Sequence, residues 1–420
     1  MSQESLLFSA AVVGRLVPLR RPADVGAPYD DYFRQLNQEL RKNGPMRPCM
    51  LIDLDRLDFN LDVLRRSIRA PKRYRVVAKS LPSIALLDYI AKKTQTDRLM
   101  AFHQPFLNRE AEAFPAADIL LGKPMPVRAA ETFYRDLKGG FDPARQLQWL
   151  LDTPQRLRQY IELAGALGTK LRVNIEIDVG LHRGGVADND ALGAILGLIA
   201  ASPQRCEFAG FMGYDPHVVK LPKALGSRAQ LFGKVLERYR GFVDYTRSTY
   251  PQLWRDDLTL NGAGSPTYRL YENDTLLNDI SVGSVLLKPT DFELDLLSDH
   301  VPAAFIATPV LKASAGIRAP GMEKFPDVFS WWNPNRQQTF FIYGGHWLAK
   351  YASPRGLSSN PLFGYSSNQE MVNGSSQVGL GVDDHIFLRP TQSEAVLLQF
   401  GDLITVRGGR IQGRWPVLRE

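Results

Sequence analysis

Tyr74-Arg-Val-Val-Ala-Lys-Ser80 is a short apolar run that ends in a lysine. Valine and tyrosine at this density predict a β-strand. A lysine at the end of such a strand points its amine into the space above the sheet, which is the geometry that a Schiff-base lysine requires. The chain has 51 Lys and Arg residues, so Lys79 by itself is more simply explained as the polar end of a strand. The segments that follow decide between these two interpretations.

Runs of the same strand-like kind recur along the chain as far as residue 287. With the first there are eight, at 74–80, 98–103, 118–123, 146–152, 170–178, 206–214, 258–263 and 280–287. Most are separated by segments with apolar residues three and four apart, such as 83–92 and 225–238, and this spacing predicts amphipathic helices. Strands that alternate with helices over this length predict a parallel (β/α)8 barrel of the TIM type.

After Pro289 the pattern changes to short strand-like runs separated by turns, at 304–308, 338–343, 385–388 and 402–406. This pattern predicts a β-rich second domain. We expect the run at 48–54 either to join that domain or to bridge the two domains. A chain of 420 residues is also longer than a single core usually holds. We therefore predict an α/β protein with a barrel at 56–294 and a β-rich domain built from 1–55 and 295–420.

The active site of such a barrel lies at the carboxyl ends of its strands. Six polar side chains and one glycine lie at or just beyond the carboxyl ends of the predicted strands: Lys79, His103, Lys123, Asp152, Arg183, Tyr214 and Gly262. The competing explanation is that the ends of strands are generally polar. Their convergence on one edge nevertheless favours a common site.

Three later segments contain glycines beside polar side chains, at 171–186, 208–217 and 260–268. In the third, Leu260-Asn-Gly-Ala-Gly-Ser-Pro-Thr-Tyr268, glycines are flanked by hydroxyl residues, a pattern that would leave backbone N–H groups to surround a phosphate. The candidate phosphate ligands are Gly262, Gly264, Ser265 and Thr267. An ordinary turn explains this segment equally well when it is taken alone.

Taken in this order, the segments resemble the fold-type III enzymes that depend on pyridoxal phosphate (PLP). Within them the chain is similar to the D-threonine aldolase and D-serine dehydratase branch of the alanine racemase superfamily. The resemblance covers residues 47–290 well and the last third in outline. Its most specific stretch is Ile177-Asp-Val-Gly-Leu-His-Arg-Gly-Gly-Val186, which is close to the family pattern Asp-x-Gly-x-x-Arg-x-Gly.

The resemblance implies roles for individual residues. It implies that Lys79 carries PLP as a Schiff base, that Arg183 lies by the phenolic oxygen of the cofactor, and that Tyr214 faces the cofactor with His217 close behind. Where the racemases have an arginine at the pyridine nitrogen, Ile280-Ser-Val-Gly283 has Ser281. The electronics of a simple racemase therefore cannot be transferred to this chain.

Proton transfer has several candidates besides Lys79. His217, Tyr214 and His346 carry groups suited to it, since histidine titrates near neutrality, although each histidine is equally well explained as a packing residue. His346 follows Gly344-Gly345, and paired glycines let backbone approach a ligand or form a hairpin turn. Asp279 is either close to the cofactor or a structural carboxylate.

The related aldolases and dehydratases bind a divalent metal through a His-x-Cys or His-x-Asp pair near the C-terminus. Here Arg410 and Gln412 stand at that place. Neither is a good ligand and a guanidinium repels a cation, so we predict no metal ligands there. Arg410 is instead a candidate to bind a substrate carboxylate, or a surface residue. A charged turn explains the cluster at 383–385 as well as a metal would.

The sequence thus predicts a PLP-dependent lyase that acts on a small amino acid, by D-threonine aldolase-like cleavage of a β-hydroxy-amino acid. Racemisation and D-serine dehydratase-like β-elimination are the alternatives within enzymes. A non-catalytic PLP-binding homeostasis protein is the alternative from another class. The resemblance also implies a homodimer, because the two-domain family closes its substrate pocket across a dimer.

Composition narrows the partners and the compartment. Hydrophobic residues make up 44% of the chain and charged residues 23%, which is typical of a soluble globular protein. The net charge of +7 is spread along the chain, with no basic block of the kind that binds nucleic acid. Cys49 and Cys206, the only cysteines, predict no disulfide and fit the cytoplasm. The apolar run at 5–14 is too short to span a membrane.

Overall fold

The computed structural model describes residues 20–222, 224, 226–317, 328–360 and 362–420. The apolar run at 5–14 therefore lies outside the described residues. The strands, in chain order, are β1 Cys49–Asp53, β2 Arg73–Val77, β3 Arg98–Ala101, β4 Asp118–Leu121, β5 Leu147–Leu151, β6 Leu171–Glu176, β7 Cys206–Met212, β8 Thr259–Gly262, β9 Asp279–Val282, β10 Ala304–Ala315, β11 Gln338–Tyr343, β12 Ala349–Ser353, β13 Ser358–Ser359, β14 Gln369–Gly374, β15 His385–Pro390, β16 Leu403–Arg407 and β17 Arg410–Trp415.

The α-helices are α1 Asp31–Asn43, α2 Leu54–Ser67, α3 Ile84–Thr94, α4 Gln104–Ala113, α5 Val127–Asp136, α6 Pro143–Gln146, α7 Pro154–Leu167, α8 Asn189–Ala201, α9 His217–Lys220, α10 Arg228–Thr249 and α11 Val328–Trp332. Within the described part of the chain, no helix is long and apolar enough to cross a membrane.

The chain divides into two units. The β unit consists of Met1–Leu57, Pro289–Asp291 and Pro302–Trp415, and the barrel unit of Asp58–Lys288, Phe292–Val301 and Pro416–Glu420. The last five residues thus belong with the barrel, although the strands that precede them belong to the β unit.

In the barrel unit, β2 to β9 form a closed barrel in chain order. Each strand pairs in parallel with the next, and β9 pairs in parallel with β2, where Tyr74 stands beside Ile280. Each of the eight predicted runs overlaps one of these strands, so the (β/α)8 prediction is confirmed. The strands are shorter than the runs because their last residues turn into the loops at the mouth of the barrel.

The helices around the barrel begin and end at residues that satisfy their free backbone groups. Thr153 accepts a hydrogen bond from the N–H of Arg156 at the start of α7, and Gly168 ends that helix at a φ of 63°. At the start of α10, Ser227 and Gln230 form a reciprocal capping box. Such caps typically contribute about 1 kcal/mol each.

An arginine occupies the interior of the barrel near the amino ends of the strands. Arg75 is fully buried, and all five of its N–H groups donate hydrogen bonds: two to Asp279, one to the Asp118 carboxylate, and one each to the carbonyls of Leu99 and Asp118. An unpaired buried guanidinium would be very costly. The two carboxylates compensate for that cost.

Further polar residues extend this cluster. Arg98 binds Asp279 at 2.8 Å and Arg172 binds Asp118 at 3.2 Å. Asn261 donates to Asp279 at 2.5 Å. Asp279 is therefore a structural carboxylate at the start of β9, which decides between the two roles that its sequence position left open.

In the β unit a mixed sheet runs in the order β13, β14, β11, β10, β1, β16, β17, and β15 joins β12 to β10. β1 pairs antiparallel with β10 and parallel with β16. α1 covers this sheet, and its Phe33, Leu36 and Leu40 pack with Phe305 and Phe387 in one buried cluster.

Candidate active site

Lys79 lies at the mouth of the barrel on a short 3-10 turn, Ala78–Ser80, that directly follows β2. Its side chain is exposed, and Nζ lies 4.7 Å from the centre of the Phe102 ring. Phe102 follows β3, and its ring fills the space where a Cβ on Gly122 would be, 2.1 Å from the nearest ring carbon. The amine is thus held beside the loops of the first two barrel strands.

Arg183 and Tyr214 come together although they are far apart in sequence. The guanidinium carbon of Arg183 lies 5.0 Å from the centre of the Tyr214 ring, which is a cation–π contact. The same ring packs on Gly264, where a Cβ would be 2.5 Å from its Cε2. Gly264 is therefore small because Tyr214 needs the space, a reason that differs from the exposed backbone expected from sequence.

The loop that carries Arg183 is organised by Asp178. Its carboxylate accepts hydrogen bonds from the backbone N–H groups of Gly180 and His182, and contacts His182 Nδ1 at 2.6 Å. Burial opposes ionisation of this carboxyl, but the hydrogen bonds from His182 and Gly180 outweigh it and lower the pKa of Asp178. Gly180 and Gly185 have φ of 114° and 90°, which favours glycine. These contacts explain the spacing of the Asp-x-Gly-x-x-Arg-x-Gly pattern.

Two carboxylates lie beside this loop. A Cβ on Gly184 would be 3.7 Å from Asp152 Oδ2 and 3.8 Å from both oxygens of Glu176. Burial and the charge of Asp152 raise the pKa of Glu176 to about 7, against the opposing effect of Arg183. Sequence reasoning noted Asp152 at a strand end but missed Glu176. The sequence feature that could have identified Glu176 is its place as a carboxylate at the last position of a barrel strand.

A set of hydrogen-bond donors converges after β9. The Ser265 hydroxyl accepts hydrogen bonds from the backbone N–H groups of Gly283 and Val285 at 3.3 and 3.1 Å. The hydroxyls of Ser80 and Ser284 are 2.7 Å apart. Backbone N–H groups and hydroxyls that meet at one point are suited to a phosphate. We call Ser265, Gly283, Ser284 and Val285 the hydroxyl cradle.

Gly283 connects this cradle to the lysine. A Cβ there would lie 2.8 Å from the carbonyl oxygen of Val77 and 3.3 Å from Cβ of Ser80, so only glycine lets the two turns approach. Sequence reasoning chose Ser265 and missed the other members of the cradle. The sequence feature that could have identified them is the Gly283-Ser284 pair directly after the last barrel strand.

The remaining phosphate candidates have other contacts. Thr267 donates its hydroxyl to Asp215 at 2.6 Å inside the protein, and the space next to Gly262 is filled by Leu277. Both residues thus serve packing and the turn. Ser281 is buried, and its hydroxyl oxygen accepts a hydrogen bond from Asn261 at 2.8 Å.

His217 lies against the loop that carries Arg183. Its Nε2 is 3.2 Å from the position of a Cβ on Gly180. Within the described part of the protein, its buried Nδ1 has no hydrogen-bond partner. Burial lowers the pKa of the imidazole, so the ring is neutral at pH 7 and able to accept a proton.

His346 and Arg410 belong to the β unit. His346 has a φ of 56° after two glycines, donates its N–H to Glu370 at 2.6 Å and stacks on Tyr365 at 5.2 Å. Arg410 is exposed at the start of β17, paired with Arg407 across the Gly408-Gly409 turn. Their roles toward a substrate stay predictions.

The candidate metal clusters have structural partners. Asp384 binds Asn37 and Arg41, each at 2.8 Å, and His385 is buried. Over residues 20–317 and 328–420, apart from the few positions left out within them, no group of three or more His, Cys, Asp or Glu side chains could hold a metal ion. Cys49 and Cys206 are buried free thiols.

Comparison with known proteins yields one family and several structures. Residues 52–287 match the family model described as alanine racemase, N-terminal domain. D-threonine aldolase from Filomicrobium marinum is 17% identical, with a TM-score of 0.68 over 94% of this chain and 98% of that one. D-threo-3-hydroxyaspartate dehydratase from Delftia sp. HT23 is 17% identical, with a TM-score of 0.66 over 89% of this chain and 97% of that one.

Alanine racemase from Bacillus anthracis, with bound L-Ala-P, is 13% identical, with a TM-score of 0.66 over 89% of this chain and 98% of that one. No curated protein sequence matches the chain. At these identities the structural matches establish the fold, while the family model covers more than half of the sequence.

Proposed function

From the membership of the chain in the alanine racemase N-terminal domain family, we propose that it is a PLP-dependent enzyme acting on a small amino acid. The fold of this family is that of the fold-type III PLP enzymes. One observation carries the proposal. The turn that bears Lys79 and the hydroxyl cradle lie against each other through Ser80 and Ser284, whose hydroxyls are 2.7 Å apart. The turn that carries the amine is therefore bonded to a group of hydroxyls and backbone N–H groups, which supports a common site for the amine and a phosphate.

The residues present fit this cofactor. Lys79 is the residue that would bind it covalently. The Ser265 hydroxyl would bind its phosphate, because its oxygen already accepts hydrogen bonds from the backbone N–H groups of Gly283 and Val285 and its own hydrogen is left to donate. Arg183, resting on Tyr214, would bind its phenolic oxygen. When bound, PLP withdraws electrons from the α-carbon of an amino acid and so weakens the bonds to that carbon.

Ser281 would face the ring nitrogen of the cofactor. Its oxygen already accepts a hydrogen bond from Asn261, so its own hydrogen is left to donate elsewhere. A neutral hydroxyl donor does not hold a proton on a nearby nitrogen, whereas a carboxylate does. We therefore expect weaker electron withdrawal than in enzymes that keep this nitrogen charged.

Three side chains would handle protons at the site: Lys79, Tyr214 and His217. The lowered pKa of His217, caused by burial, makes its neutral imidazole a base rather than an acid at pH 7. Its Nε2, which lies against the loop that carries Arg183, would accept the proton of a substrate hydroxyl, whereas Nδ1 is buried away from solvent. Aldol cleavage needs such a base when no metal activates the β-hydroxyl.

The reaction we propose is aldol cleavage of a D-threonine-like β-hydroxy-amino acid. The likeness to D-threonine aldolase, with a TM-score of 0.68 over 94% of this chain, supports it. Racemisation and β-elimination are the alternatives, since an alanine racemase and a D-threo-3-hydroxyaspartate dehydratase have the same fold at TM-scores of 0.66. We also propose a cytoplasmic homodimer without a divalent metal at Arg410 and Gln412.

A non-catalytic PLP-binding protein is the candidate from another class. The β unit favours an enzyme, because a protein that only stores a cofactor has no need of a second folded unit. His217 also favours an enzyme, because the cofactor's own attachment does not need a second base.

The proposal is tested by visible absorbance of the protein with added PLP, before and after borohydride, followed by peptide mapping. We expect a reducible band and a pyridoxyl group on Lys79, both absent from Lys79→Ala. A screen of D- and L-amino acids for aldehyde, keto acid or inverted product then separates the three reactions. A band without turnover of any amino acid would favour the storage protein, and no band at all would refute the cofactor.

A further inference from the structure

The last five residues, Pro416–Glu420, form a short segment that we call the tail. It belongs to the barrel unit although it directly follows β17 of the β unit. Val417 and Leu418 are each only 7% exposed. A terminal segment with no role would rarely bury two apolar side chains, because ordering it costs conformational entropy.

The tail binds the loop that continues from the turn of Lys79. The backbone N–H of Leu418 donates to the carbonyl of Pro82 at 2.8 Å. Within this loop, the N–H of Leu81 donates to Ala78 at 2.9 Å and that of Ser83 to Leu81 at 2.7 Å. The tail is thus hydrogen-bonded to Pro82, and the loop on either side of Pro82 is folded back onto the lysine turn by two further backbone hydrogen bonds.

The tail also reaches the next loop of the barrel mouth. Glu420 Oε1 lies 2.8 Å from Nε2 of His103. His103 directly follows Phe102, whose ring contacts the Lys79 amine. The tail therefore connects the two loops, after β2 and after β3, between which the amine is placed.

The two contacts differ in strength. The side chains of His103 and Glu420 are 44% and 74% exposed, and ion pairs at such positions contribute little to stability. The backbone hydrogen bond of Leu418 lies beside a buried apolar side chain, so it is shielded from water. Leu418 is therefore the residue through which the tail restrains the loop.

We propose that the tail is a positioning element of the candidate site, which holds the Ala78–Ser80 turn so that the Lys79 amine is presented to a carbonyl compound at the barrel mouth. This inference rests on the proposed function for the identity of that compound. We expect the tail to increase the rate at which the amine reacts, because an amine held in one orientation reacts faster than an amine on a mobile loop.

The test compares Leu418→Pro with Leu418→Ala. Proline removes the backbone N–H as well as the leucine side chain, whereas alanine removes only the side chain, so the difference reports the hydrogen bond. Hydrogen exchange of the Leu81 and Ser83 amides, in protein without cofactor, measures the restraint. Borohydride trapping of PLP on Lys79, at a PLP concentration below saturation, measures the presentation of the amine.

We expect Leu418→Pro to speed exchange of both amides and to reduce trapping by roughly three- to tenfold relative to Leu418→Ala, the effect of about one hydrogen bond. Faster exchange with unchanged trapping would overturn the proposal, because the tail would then be only structural. Unchanged exchange would overturn it as well. Should Leu418→Pro fail to fold, a chain lacking 418–420 is compared with Leu418→Ala that also carries Glu420→Gln, because the truncation removes the Glu420 contact to His103 as well.

A second readout separates this inference from the proposed function. Acylation of Lys79 in cofactor-free protein, measured by peptide mapping against the exposed Lys138, needs no PLP. If wild-type protein traps no PLP, the proposed function fails. The positioning role then stands only if Leu418→Pro changes the acylation rate of Lys79 and leaves the acylation rate of Lys138 unchanged. Equal acylation rates of Lys79 in the wild type and in Leu418→Pro would refute it.

Discussion

The guanidinium of Arg183 rests on the ring of Tyr214, with 5.0 Å between Cζ and the ring centre. Tyr214 is in turn seated on Gly264, at a distance that leaves no room for a Cβ. Three barrel loops thus determine where one positive charge lies. The position of Arg183 depends on a flat aromatic surface as well as on its own loop.

Substitutions of Arg183 and Tyr214 should distinguish the contribution of the Tyr214 ring from that of its hydroxyl. We expect Arg183→Lys to weaken PLP binding by roughly two- to fivefold, because an ammonium lacks the flat guanidinium that stacks on the ring. Tyr214→Phe keeps the ring and should change PLP binding by less than about twofold, while lowering turnover if the hydroxyl transfers a proton. Titration by absorbance measures the first effect and steady-state kinetics the second. Equal losses of PLP affinity in both variants would contradict the stacking role.

Gly283→Ala should damage the cradle more than the loss of a hydroxyl does. A Cβ at this position would meet the carbonyl of Val77 at 2.8 Å, so the turn after β9 must move away from the lysine turn. We expect PLP affinity to fall by about tenfold or more, against about threefold for Ser265→Ala, which removes one hydroxyl donor to the phosphate. Gly233→Ala is the control, since no atom lies within 4 Å of its Cβ. An unchanged PLP affinity in Gly283→Ala would show that the turn after β9 is not part of the PLP site.

Glu176 should make stability depend on pH. Burial and Asp152 raise its pKa to about 7 from 4.5, so the folded protein binds a proton that the unfolded chain releases at lower pH. The group's contribution to stability is therefore complete below pH 4.5 and is lost as pH rises toward 7. Glu176→Gln should match the wild type at pH 4 and exceed it at pH 8, by at most about 3 kcal/mol. Urea unfolding at both pH values measures the gap, and a constant gap would disprove the raised pKa.

Arg75→Met should destabilise the barrel strongly. It would leave Asp279 and Asp118 buried with fewer compensating charges, and breaking a buried pair from one side costs about 3–5 kcal/mol. Arg172→Met removes one contact to Asp118 at 3.2 Å and should cost about 1 kcal/mol. Denaturant midpoints at constant m-value provide the comparison. Similar costs for the two variants would mean that the buried arginine is not central to the cluster.

The fold was predictable because the strands and the helices around them differ in period. Each of the eight apolar runs became a barrel strand, and the later short runs became strands of the second sheet. Burial on both faces requires such apolar runs in a parallel sheet. Arg75, in the middle of the first barrel strand, broke this pattern without preventing the strand, because its carboxylate partners come from β4 and β9.

The site was predictable in part, and the limit is physical. Residues at strand ends were found, since topology brings those ends to one edge. The partners of a hydroxyl depend on tertiary contacts, so Ser265 and Thr267 looked alike although one faces backbone N–H groups and the other donates to Asp215. Gly264 and Gly283 were similarly ambiguous, because a glycine in sequence does not reveal which atom fills the space beside it.

The buried arginine has a consequence for how the barrel forms. Arg75 comes from β2, and its two carboxylates come from β4 and β9, the last strand of the barrel. A folding intermediate that contained only the early strands would hold this cation in a desolvated interior with half of its counter-charge. The intermediate would be unstable for that reason, so closure by the final strand should be cooperative. Separately expressed halves of this barrel should accordingly remain unfolded until they meet.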